Sequence, residues 1–337
     1  MNPTSRKLPF VFPAVLAAVL AVSPGAMATT TLITSGNYLT AGNWNTGVPG
    51  NTDFSGLIST NRTATLSAST AFQPTTLAIS TGGTLALASG ASLTVNGTTT
   101  LSSAATSGNV VQDAGSSFTT SDLRIGSGSN GTLAATAAAL YTMNGGNLTV
   151  TGALGLPGST SSYGAMVVHS GTVSAGSLTV GTNGGAGSLT MDGGTVSVNG
   201  AVAMNPAGPV NVGTATIAVS GGTLNFLAGG GNIIPAGNVA NGNTVNFTVS
   251  GTGVVNLNGR TSTWNGAAVT LAVSGGALNF GSGNATIGSN ASFTGGQITG
   301  INTFSDKGIT INGSDFLVGG NTNAVSNTSL AAVSGNN

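Results

Sequence analysis

Residues 178–196 read Leu-Thr-Val-Gly-Thr-Asn-Gly-Gly-Ala-Gly-Ser-Leu-Thr-Met-Asp-Gly-Gly-Thr-Val. Two short runs of alternating apolar and small polar residues flank a glycine-rich turn, and a second Gly-Gly pair follows Asp192. Alternation with a period of two sends successive side chains to opposite faces of a strand. Gly and Asn tolerate the left-handed backbone that a sharp turn requires. The stretch therefore predicts short strands joined by tight corners.

The same pattern recurs along the chain. An apolar residue, a polar one, Gly or Ser, Gly, any residue and then Leu or Val appear at Met143–Leu148, Val168–Val173, Met191–Val196, Val219–Leu224 and Val273–Leu278, with a looser copy at Val249–Val254. The first residues of these copies are 25, 23, 28, 30 and 24 positions apart. Leu123–Gly126, Leu154–Pro157 and Leu178–Gly181 form a second recurring element. Antiparallel hairpins would favour two-residue loops and strands of matched length. A recurrence in constant phase instead favours a parallel β-helix, with one coil per roughly 20 to 30 residues and like residues stacked on like. The expected fold is all-β, a right-handed parallel β-helix of about 12 or 13 coils, each coil adding about 4.8 Å to the rod.

Composition supports this and excludes several function classes. Charged residues make up 4% of the 337, with six Lys and Arg, six Asp, no Glu, one His and no Cys. Nucleic-acid binding needs a basic patch that six scattered cations cannot form. Without Cys there is neither a disulfide framework nor a thiolate metal site. Long surface helices would need Glu, Lys, Arg and Gln on their wet faces. With 39% hydrophobic residues and a mean hydropathy of +0.32, the chain is not a charge-driven disordered tract.

Residues 1–28 read as a secretory signal: Arg6 and Lys7 open it, Leu8 to Val22 is apolar, and Ala26-Met27-Ala28 fits the small-x-small cleavage rule. The apolar run falls short of the roughly 20 residues of a spanning helix, and no later segment is apolar enough to span. Residues 29–60 are expected to form an N-terminal cap and first coil, with Tyr38, Trp44 and Phe54 as the capping aromatics. Residues 61–337 are expected to form the repeats.

The opening of the processed chain, Gly36-Asn37-Tyr38 through Ala41–Asn45 to Gly47–Asp53, resembles a common start of exported bacterial β-helix proteins. The element Leu178–Val196 resembles repeats in autotransporter passenger domains and in large surface proteins with a C-terminal sorting signal. The resemblance covers most of residues 36–300. It implies export and a β-helix, and leaves the function open, because such repeats carry stalks, adhesins and some enzymes. The chain departs from both groups at Ser334–Asn337, where neither a terminal barrel strand nor a sorting helix is found. The expectation is a fragment, or a protein released or held by an anchoring partner.

Candidate chemistry is sparse. His169 and Asp192 hold the same place in the repeat one coil apart, between Asn144 and Ser220. In that order Asp separates His from Ser, whereas a Ser–His–Asp triad needs His in the middle; a polar corner ladder is expected. The acids Asp53, Asp113, Asp122, Asp192, Asp306 and Asp315 are not spaced by one coil, as paired glycosidase carboxylates on stacked coils would be. Grouping of two of them with Arg124 or Arg260 in one groove would mark an enzyme acting on polysaccharide; scattered acids would mark a stalk. Thr-x-Thr occurs at Thr63–Thr65 and Thr214–Thr216 without recurring in register, which argues against an ice-matched lattice. The outward positions of the strands are Thr, Ser and Asn, and the expected function is a non-enzymatic exported surface protein, a structural stalk or adhesin-like passenger with a repetitive Thr/Ser/Asn surface meeting cell-surface glycans or proteins. No catalytic, cofactor-binding or metal residue is assigned, and the alternative is a β-helix enzyme acting on polysaccharide.

Overall fold

The computed structural model describes residues 28–306 apart from 50–53, 71–72, 103–106, 128–138, 158–161, 183–184, 205–212, 228, 230, 234, 236–241, 265 and 289, with short strands at 310–312, 315–316, 325–326 and 333–334 beyond; side chains are described as far as Ile301. The signal segment before Ala28, the carboxylates of Asp53, Asp306 and Asp315, and the Phe54 ring lie outside the described residues.

Every strand-to-strand register is parallel, and the pairing links each strand to one a full winding further on. The chain winds as an all-β solenoid of about nine turns with almost no helix. One interior column shows the winding: Leu66, Leu87, Gln112, Met143, Val168, Met191, Val219, Val249, Val273 and Phe293 are consecutive register partners. These nine steps cover about 43 Å at the usual strand spacing. From Met143 to Val273 the register partners are the residues that open the sequence repeat, so the repeat and the winding are the same object. The expected 12 or 13 coils divided the whole processed chain by its period. The nine turns run from Leu66 to Phe293, and shorter pairings continue on either side, Gly36 with Ala64 and Ile311 with Val333.

Each winding contributes up to three strands, so the solenoid has three faces. In one winding, Ala139–Met143 lies on the first face, Asn147–Val150 on the second and Ala153–Leu156 on the third. The strands form where the alternation predicts. In Ala139–Met143 residues 139, 141 and 143 are buried and 140 and 142 are not, and the same period of two runs through Tyr163–Val168. The inward set fills the lumen with Leu, Val, Ile, Met and Phe. Burial at about 25 cal/mol per Å² of apolar surface drives this packing.

Interior polar groups are bonded where they can be. Gln112 occupies a column position that is apolar in every other winding; its Nε2 donates to the Asn147 carbonyl at 2.9 Å, and its Oε1 accepts from the Tyr141 hydroxyl. Tyr141 stacks on Phe118 with centroids 6.4 Å apart. Burial pushes the Tyr38 and Tyr141 phenols well above their ordinary pKa.

Two of the three expected capping aromatics meet in the first winding. Tyr38 and Trp44 are buried in an edge-to-face pair at 5.2 Å. The Trp44 indole donates to the Tyr38 carbonyl at 2.8 Å, and the Tyr38 hydroxyl donates to the Pro49 carbonyl at 3.2 Å. Trp44 also makes an antiparallel bridge to Leu32, which turns the chain against the direction of the stack.

Candidate functional site

The corner between the first and second faces carries the polar ladder that the sequence implies. Gly-Gly pairs make the corner because the second glycine takes a left-handed backbone while the winding below presses on it. At Gly222, φ is +72°, and a Cβ would lie 2.4 Å from the Gly194 carbonyl oxygen. The residue before each pair is thrown outward, which places Asn144, His169, Asp192 and Ser220 on one exposed edge in that order.

His169 Nδ1 lies 2.9 and 2.8 Å from the two carboxylate oxygens of Asp192, with side chains 45% and 52% exposed. A polar contact this wet contributes little. One ladder step earlier, Asn144 donates to the Asp113 carboxylate at 3.1 Å. The Ser220 hydroxyl donates to the Met191 carbonyl at 3.1 Å, beyond Asp192 as seen from His169. The edge thus pairs neighbours locally and does not set a base between Ser220 and an acid.

The described acids are apart. Asp113 sits at the corner between first and second faces. Asp122, nine residues on, sits where the second face passes into the third and accepts from the Ala153 amide at 2.8 Å. Arg124 is exposed on the third face, in register with Thr100 and Gly155. Among the described residues, no three His or Asp side chains come together.

The second face carries outward Thr, Ser and Asn, as expected of the water-facing positions, and it arranges them in continuous columns. Thr94, Thr119, Thr149, Ser174, Ser197, Asn225, Asn256, Asn279 and Thr299 are register partners in one outward column. A parallel column two residues away runs from Ser92 to Gln297 in the same register and is interrupted only by Val254 and Ala277. Neither column holds a charge. Some neighbours bond along it: Thr172 Oγ1 donates to Asn147 Oδ1 at 2.6 Å, and Asn256 Nδ2 to Asn225 Oδ1 at 2.8 Å. The Thr-x-Thr pairs lie on the first face instead, where Val111, Leu140 and Val167 separate them.

Arg260 is a second feature that the sequence did not reveal. It lies at the passage from the second face to the third. Among the described residues there, Val202–Met204 pairs back to Leu178–Val180, and Ile233 in the next winding bridges Ser262. The side chain turns inward and is 4% exposed. Its Nε donates to the Leu227 carbonyl at 2.8 Å and its Nη2 to the Gly200 carbonyl at 2.9 Å, so the guanidinium ties three windings together. Its carbon lies 5.9 Å from the centre of the Phe226 ring, a cation–π contact. Burial holds the guanidinium pKa below its ordinary value. The only sequence signal is Arg260-Thr261-Ser262-Thr263-Trp264, an alternation whose first two inward positions, 260 and 262, are polar.

No helix of the described residues is long and apolar enough to cross a membrane. No family model matches the chain, and no curated protein or solved structure matches it.

Proposed function

We propose that the protein is an exported surface or secreted rod, a structural stalk or adhesin-like passenger of bacterial type, that makes repeated weak contacts with cell-surface glycans or proteins. The observation that carries this is the uncharged double column on the second face. Ladders of Thr, Ser and Asn on a stiff solenoid present many equivalent hydrogen-bonding groups, and repetition raises avidity without any single strong contact. The signal-like start and the resemblance to passenger repeats point the same way. The scattered placement of Asp113, Asp122 and Asp192 favours the stalk over the polysaccharide-degrading alternative.

Expression of the full chain with a C-terminal tag in a bacterial host, followed by protease treatment of intact cells and binding to immobilised glycans, tests the reading. The expected result is a product beginning at Thr29 outside the cytoplasm. It should bind glycans, and the double substitution Thr149→Arg, Ser197→Arg should weaken that binding without unfolding the chain. Cytoplasmic retention of an unprocessed chain would overturn the proposal. Release of reducing ends from polysaccharide would replace it with the enzymatic alternative.

A further inference from the structure

Asn243 Nδ2, Arg260 Nη1, Ser262 Oγ and Trp264 Nε1 are buried and have no hydrogen-bond partner among the described residues. All four fall within one winding. Buried polar groups are almost always satisfied, so each orphan calls for a partner from outside, and of the four residues Arg260 is the one that lines a cleft. Three of the four atoms can only donate, and Ser262 can donate too. The group as a whole therefore calls for acceptors.

Arg260 adds charge to that demand. Charged side chains are almost never fully buried without a partner, yet no carboxylate pairs with this one among the described residues. Backbone carbonyls hold Nε and Nη2, which fixes the fork and leaves Nη1 over. Beside it lies a cleft of about 260 Å³ lined by Gly229, Gly231, Asn232, Asn258, Gly259, Arg260 and Thr261. That lining offers backbone amides, two carboxamides and a hydroxyl around one cation, with no acid and no aromatic platform. Gly229 and Gly231 are uncrowded, but their φ values of +90° and +81° suit glycine alone.

We propose that this cleft is a carboxylate-binding site in which Arg260 supplies the charge and Asn232 and Thr261 the flanking hydrogen bonds. Its size suits a single acidic sugar or a small free acid. Nη1 is shielded from bulk water, where a charge-assisted hydrogen bond gains most, and ligand entry shifts the glycine-rich rim. The proposal goes beyond the surface-contact reading by naming a ligand chemistry, and it stands or falls separately from export.

The test follows the arginine guanidinium N–H resonances of the ¹⁵N-labelled full chain during titration with galacturonate, acetate and galactose. Galacturonate is expected to give a saturable shift at Arg260, and galactose none. Acetate binding as well as galacturonate would assign the carboxylate site to a free acid; acetate binding more weakly would assign it to an acidic sugar. Asn232→Ala and Thr261→Val leave the Arg260 clamp intact and should each weaken binding about fivefold, the loss of one ordinary hydrogen bond. Equal shifts with galactose, no shift with either acid, or unchanged affinity in both variants would overturn the proposal.

Discussion

Gly222 shows how little freedom a single corner position has. Its left-handed backbone alone costs a residue with a side chain about 1–2 kcal/mol. A methyl group there would also meet the Gly194 carbonyl oxygen at 2.4 Å, and that oxygen belongs to the backbone of the winding below. Gly222→Ala should therefore lower stability by more than the conformational cost, on the order of 3 kcal/mol. Gly229→Ala is the control: its φ is also positive, but a Cβ there has open space. Urea unfolding of the two variants checks this, and equal losses would show that backbone conformation alone matters at the corner.

At the level of the strand, alternation divides each run into residues that carry the fold and residues that carry the surface. Leu189 is fully buried and Thr190 faces outward. Leu189→Ala should cost about 2–5 kcal/mol through lost burial and the cavity left behind. Thr190→Ala should stay within about 0.5 kcal/mol. Comparison of their urea midpoints would expose any error in the assigned inward set. This division also explains what the sequence disclosed. The corner motif was readable because its glycines are fixed by backbone geometry and its apolar residues by the lumen. Phe293-Thr294-Gly295-Gly296-Gln297-Ile298 is one more copy, missed because Ile298 stands where the pattern asks for Leu or Val. Leu87–Leu93 and Gln112–Phe118 were missed because their corners are longer by one residue. The outward Thr, Ser and Asn were legible as a class, but their alignment into columns on the second face was not. Water-facing Thr, Ser and Asn replace one another freely, so no single residue type recurs even where the register is continuous. Arg260 was hidden because its burial rests on carbonyls of earlier windings, those of Leu227 and Gly200, that nothing in its own neighbourhood announces.

Across the whole molecule, variation in winding length avoids one corner. From Met143 onward the corner between first and second faces holds three residues, or four after Val249. The passage from third to first face instead ranges from three residues, between Ile287 and Ala291, to eleven, between Ser127 and Ala139. The passage from second to third face varies as well, from one residue, Gly176, to six, between Phe226 and Ile233, and these two edges absorb the difference. Lengthening a surface loop costs little, about 0.6 kcal/mol per doubling. Ten Gly and Ser residues inserted between Leu156 and Ser162 should lower the melting temperature by no more than about 2–4 °C. The same insertion between Met143 and Leu148 should unfold the neighbouring windings, and a melt of equal depression in the two proteins would contradict the assignment of edges. A scaffold with permissive seams beside one strict corner can display foreign or newly evolved segments in files along its length, at intervals of one winding, while its bulk stays unaltered.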